Sequence, residues 1–119
     1  MTQEFEIFKG RTSTTFSGEL LSKVSSKREN LQPRWTEYEL YITESGKYVI
    51  VIYGKSSIPG EKQKTNIIES PTPQGVLEAL KFKNKQGNIY LTHTAEEALK
   101  AAADNDEGLY AVYFHNRIE

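Results

Sequence analysis

At 119 residues the chain is long enough for one domain with a real hydrophobic core and too short for two, so a single unit over 1–119 is expected. It has no cysteine, which excludes disulfides, thiolate metal sites and cysteine nucleophiles. A formal net charge of −1 argues against a nucleic-acid binder working through a global basic field, and equally against an acidic mimic of DNA.

In chain order, residues 4–8 alternate with Phe5 and Ile7 on one side and read as a strand. Residues 10–15, Gly-Arg-Thr-Ser-Thr-Thr, read as a polar connection, although threonine also suits an edge strand. Leu20, Leu21 and Val24 among serines and lysines make 18–26 a second strand with a wet face. The charged, serine-rich stretch 25–33 ends at Pro33 and reads as a loop.

Residues 34–53 give the clearest signal, a β-hairpin. In its first strand Thr36, Tyr38, Leu40 and Ile42 share one face, while Trp35, Glu37, Glu39, Tyr41 and Thr43 share the other. The second strand, 48–53, reads as having no polar residue on either face, the mark of a central strand that needs cover on both. A two-residue Ser45-Gly46 turn would set Ile42 opposite Val49 and Leu40 opposite Val51. A three-residue turn with Gly46 left-handed shifts this by one, and a continuous apolar run cannot choose between the registers.

Pro59-Gly60 marks a turn within 56–63, and 64–69 forms a short strand through Ile67 and Ile68. Thr72 as N-cap with Pro73 at the first position opens a helix over 73–82, with Val76, Leu77 and Leu80 as its stripe. Residues 84–88 turn the chain into a short strand at 89–92. A capping box of Thr94 and Glu97 opens a helix over 95–104 with Ala98, Leu99, Ala102 and Ala103 inward. Residues 109–114 suit either helix or strand, and the acidic 104–107 tilts the balance to helix. The fold class is α+β: an antiparallel β-sheet of four to six strands with two helices packed on one face. Its expected core is Tyr38, Leu40, Ile42, Val49, Val51, Ile67, Val76, Leu77, Leu80, Ile89, Leu91, Leu99 and Val112.

Local catalytic signatures are missing, which tilts the reading away from an enzyme. His93 with Glu96 or Glu97 supplies two ligands where a metal site needs three or four, and His115 reads as a polar residue near the C-terminus. Glu37 and Glu39 share a strand face, yet a carboxylate pair on a solvated face lacks the desolvation that raises a pKa. Gly54-Lys55-Ser56 lacks the glycines of a phosphate loop. No catalytic residue, metal or cofactor is assigned, and a small hydrolase stands as the third reading.

Binding has better support. Arg34, Trp35, Glu37 and Tyr41 on the hairpin, with Lys23, Lys27 and Arg28 before it, form the candidate partner-binding set. Aromatics among basic residues can stack bases, and large aromatics can equally be packed inside. A second basic group, Lys81, Lys83 and Lys85, meets the negative end of the first helix dipole. Residues 1–95 carry 13 Lys and Arg against 10 Asp and Glu, whereas the last 24 carry 2 against 6, an acidic end of the sequence that reads first as a solvated helix face. The threonine-rich N-terminal edge could pair with a partner's strand.

The expected function is a small non-enzymatic interaction module that binds another protein, of accessory or inhibitor type like many small plasmid or phage proteins, with self-association included. Single-stranded nucleic-acid binding through the aromatic and basic sheet face is the alternative. Residues 1–4 show no basic segment leading into an apolar one, and no apolar run approaches the roughly 20 residues of a membrane span, so a cytoplasmic address and no membrane partner are expected.

Overall fold

The computed structural model describes residues 2–27 and 32–115, with the side chain of His115 outside that description. Five strands form one antiparallel sheet in sequential order: β1 (Gln3–Lys9), β2 (Thr12–Ser25), β3 (Arg34–Thr43), β4 (Tyr48–Ser56) and β5 (Lys64–Ser70). After them come α1 (Pro73–Leu80), a two-stranded ribbon of β6 (Phe82–Lys83) and β7 (Ile89–Tyr90), then α2 (His93–Ala103) and α3 (Glu107–His115). The α+β class holds. Residues 10–15, expected as a connection, instead contribute only Gly10-Arg11 to a turn, and Thr12 onward extends β2. There each threonine gains a ladder partner on β1.

The hairpin adopts the three-residue turn. Gly46 sits at φ +88, its N–H donates to the Thr43 carbonyl at 2.9 Å, and the Thr43 N–H donates to the Lys47 carbonyl at 2.7 Å. Ile42 therefore faces Tyr48, Tyr41 faces Val49 and Leu40 faces Ile50. What burial could not select, the left-handed glycine did.

This register sorts the strands into two cores. Tyr38, Leu40, Tyr48 and Ile50, with Leu21 from β2, face the helices and pack with Val76, Leu77, Leu80, Ala98, Leu99, Leu109 and Tyr113. The opposite face is also covered, because the sheet curls until β1 approaches β5. Ile7, Tyr41, Val49 and Val51 are buried there, with Phe5, Phe16, Tyr53 and Ile67 packed round them. The threonines of the N-terminal region are paired with β1, which is itself the outer strand of the sheet and turns Phe5 and Ile7 in on this second core. Between Leu20 and Ser22 the β2–β3 register slips by one, which lets Leu21 join the helix side and brings Ser22 Oγ to the Ala98 carbonyl at 2.8 Å.

Among the described residues there are three helices: α1 and α2 lie against the sheet as expected, and α3 packs chiefly on α1 and α2. The first ends at Leu80 instead of 82, so Phe82 leaves the helix and becomes a ribbon residue. Its start is as expected: Thr72 Oγ1 accepts from the Gly75 N–H at 3.1 Å, with Pro73 at the first position. The second starts two residues early, since Thr92 Oγ1 accepts from the Ala95 N–H at 3.1 Å. Thr94 is thus inside the helix and the expected capping box does not form; with Thr92 as the cap, Ala95 lies in the first turn and is fully buried. The third helix resolves the ambiguity at 109–114 in favour of helix, with Asp106 Oδ2 accepting from the Leu109 N–H at 3.0 Å.

Candidate functional site

Alternation along β3 aims Trp35, Glu37, Glu39 and Tyr41 at the curled face, and their neighbours decide what each can do. At the inner end Tyr41 is buried, its ring 4.8 Å from Phe5 and 5.1 Å from Phe16. Its hydroxyl donates to Glu39 Oε1 at 2.7 Å, and the Tyr53 hydroxyl donates to the same oxygen at 3.1 Å. Burial, with the Glu39 carboxylate beside it, pushes the Tyr53 phenol up to about 12 and moves Tyr41 in the same direction. Lys23, opposite Glu39 on β2, reaches its other oxygen at 3.8 Å. Glu39 is only 9% exposed, and this set of donors is what permits a carboxylate there.

Nearer the open end, the Trp35 indole N–H donates to Glu37 Oε2 at 2.8 Å, and Lys55 meets Glu37 Oε1 at 3.0 Å. Partial burial acts to raise the Glu37 pKa, but the Trp35 N–H and the Lys55 ammonium outweigh it and hold the carboxyl below its usual range. That direction is opposite to what a general acid at neutral pH needs. Lys27 lies over the half-buried indole, 4.1 Å from the ring centroid. The fold brings together Lys23, Lys27, Trp35, Glu37 and Tyr41 of the candidate set: Lys27, Trp35 and Glu37 engage one another, and Lys23 and Tyr41 are held by Glu39.

Arg34 points to the other side of β3, where its guanidinium binds both carboxylate oxygens of Glu61. Beside that pair an open groove of ≈ 400 Å³ is lined by Arg34, Trp35, Lys55, Lys62 and Lys64 among others. Arg28 lies outside the described residues. His93 is exposed, with Nε2 3.1 Å from Glu97 Oε1, so it has a partner without any enclosing site. Among the described residues, no three His, Asp or Glu side chains gather as a metal site would require.

An exposed apolar surface that the sequence reading missed is the ribbon. Ile89, expected in the core, is 64% exposed, and Phe82 and Tyr90 are about half exposed, with their rings 5.6 Å apart edge to face. Strands of two residues give the ribbon little reach, and only beyond it does Leu91 return to the helix-side core. Its turn is nevertheless firmly built. Asn84 Oδ1 accepts from the N–H groups of Gln86 at 3.0 Å and Asn88 at 2.9 Å, with Gly87 at φ +87. The signal available in the sequence was Phe82 set between Lys81 and Lys83 just past the helix, a spacing that fits neither a buried stripe nor a buried strand.

Comparison with protein-family models, with curated proteins and with solved structures gives no match. No helix among the described residues is long and apolar enough to cross a membrane.

Proposed function

We propose that the chain is a non-enzymatic protein-interaction module, of accessory or inhibitor type, and that its contact element is the β6–β7 ribbon. One observation carries this reading: Phe82, Ile89 and Tyr90, three large exposed apolar side chains, gather on a ribbon that, among the described residues, packs against no other strand or helix to a comparable extent. A lone two-stranded hairpin is marginal in water, and aromatic side chains grouped at a surface are typical of contact sites. The Asn84 turn holds the ribbon in shape before contact, which lowers the entropy lost on binding.

The curled face supports the nucleic-acid alternative less well. Tyr41 has no free ring face for a base, Lys27 already covers the indole, and Lys23 and Lys55 are engaged by carboxylates. The test is affinity capture from a lysate of the source cells, with and without nuclease, using wild type and the Phe82→Ala/Tyr90→Ala chain. A captured protein that survives nuclease and is lost with the ribbon substitutions, at unchanged thermal unfolding, is the expected result. Capture that disappears with nuclease, or that ignores the ribbon substitutions, overturns it.

A further inference from the structure

Asp104 is the acidic residue that local structure explains least. It caps α2 at the C-terminal end, where the helix carbonyls already present partial negative charge. Asp106 has a local reason, since it opens α3 and accepts the Tyr48 hydroxyl at 2.7 Å. Glu107 follows in the first turn of α3. Among the described residues, the carboxylates of Asp104 and Glu107 make no ion pair. With Tyr110 these residues line an open hollow of ≈ 520 Å³ at the elbow between α2 and α3. The Tyr110 ring is half exposed and stacks at 4.5 Å on that of Phe114, itself about half exposed.

The ribbon, at the other end of α2, has the opposite character. Residues 81–95 contain three lysines and no acid, with Glu96 following in the first turn of α2 and Lys100 in its last; Lys83 and Lys85 make no ion pair among the described residues, whereas Lys81 is held by Glu78 at 2.8 Å. One surface is aromatic and basic, the other aromatic and acidic. Over its 11 residues α2 separates them by about 16 Å, so a ribbon meets the elbow of another chain and not its own.

We infer that the occupant of the ribbon is a second copy of this chain, with Phe82 and Tyr90 set against Tyr110 and Phe114 and with Lys83 and Lys85 facing Asp104 and Glu107. A two-fold axis that sets the two α2 helices antiparallel places the ribbon of each chain at the elbow end of the other. Charge of opposite sign at the two ends also disfavours the parallel arrangement, which would bring ribbon to ribbon and elbow to elbow. The inference rests on the reading of the ribbon as the contact element and names its partner.

The test is sedimentation velocity across a concentration series, with circular dichroism confirming that each variant is folded. Wild type is expected to form a dimer that weakens as salt rises. Its dissociation constant should increase at least about tenfold in K83E/K85E and in D104K/E107K. An equimolar mixture of these two charge-reversed chains restores both contacts in one heterodimer, and a chain bearing all four substitutions pairs with itself again. A wild type that stays monomeric up to about 1 mM overturns the inference, as does a dimer that neither reversal weakens or a mixture that stays monomeric. If the wild type is monomeric but the ribbon substitutions still abolish capture of a protein, self-pairing fails and the contact role of the ribbon stands.

Discussion

The chain builds the same turn twice and uses it for two opposite purposes. In Thr43–Lys47 and again in Asn84–Asn88, a glycine at positive φ sits in the fourth position, its N–H donating to the carbonyl of the first residue. In both, the first side chain accepts from the N–H of the fifth residue: Thr43 Oγ1 from Lys47 at 3.1 Å, Asn84 Oδ1 from Asn88 at 2.9 Å. The β3–β4 turn joins strands of 10 and 9 residues, covered on both faces, whereas β6 and β7 have two residues each and stand clear of the sheet. A turn thus fixes register and hand. Whether the hairpin stabilises the fold or projects from it depends on strand length and on what lies against its faces.

The largest expected effect lies in the first hairpin. Ile50→Ala removes a fully buried side chain and should cost about 2–5 kcal/mol in urea unfolding. Ile89→Ala, the same substitution on the ribbon, should stay within about 0.5 kcal/mol. Comparable losses at the two sites would erase the contrast between the hairpins. Next comes Glu39→Ala, which leaves the Tyr41 and Tyr53 hydroxyls without their acceptor and should cost about 1–3 kcal/mol.

Gly46→Ala forces an L side chain into the left-handed region and should lower global stability by about 1–2 kcal/mol. Gly87→Ala should bring the same strain to the ribbon alone, seen as shifted amide resonances at 82–90 while the unfolding midpoint barely moves. The smallest effects are those of pH. The Tyr53 pKa is raised from an ordinary value of about 10, so its contribution is intact below that pH and is lost as pH rises through about 12, as a phenolate absorbance titration would record. For Glu37 the sign reverses: its folded pKa is lowered, so its contribution is present above an ordinary value of about 4.3 and falls away at lower pH. Glu37→Gln should flatten that acid limb of the unfolding midpoint.

Much of the candidate site was legible one residue at a time. Alternation alone placed Trp35, Glu37, Glu39 and Tyr41 on one face, and that placement holds. Its consequence was only half legible: Tyr41 and Trp35 donate from two residues away on β3 itself, but Lys23, Tyr53 and Lys55, which complete the sets around Glu39 and Glu37, come from β2 and β4, and pairing between strands depends on a turn whose length the apolar run leaves open. Val49 and Val51 were expected in the core and are buried, but in the curled-face cluster, away from the helices. Ile89 shows the converse failure. Its hydrophobicity suggests burial, yet among the described residues no strand or helix packs on the ribbon closely enough to cover it.

By itself the sequence determined the fold class, the β3–β4 hairpin, the Thr72–Pro73 helix start and the inward stripes of α1 and α2, because periodicity, caps and breakers act over a few residues and have few physical solutions. Only the tertiary structure decided that the sheet curls on itself, that Tyr41 and Trp35 are engaged with neighbours, and that Phe82, Ile89 and Tyr90 are left in solvent. Those outcomes depend on contacts between segments far apart in the chain. Whether an apolar side chain ends as core or as a contact surface is set by what arrives opposite it, which no local pattern records.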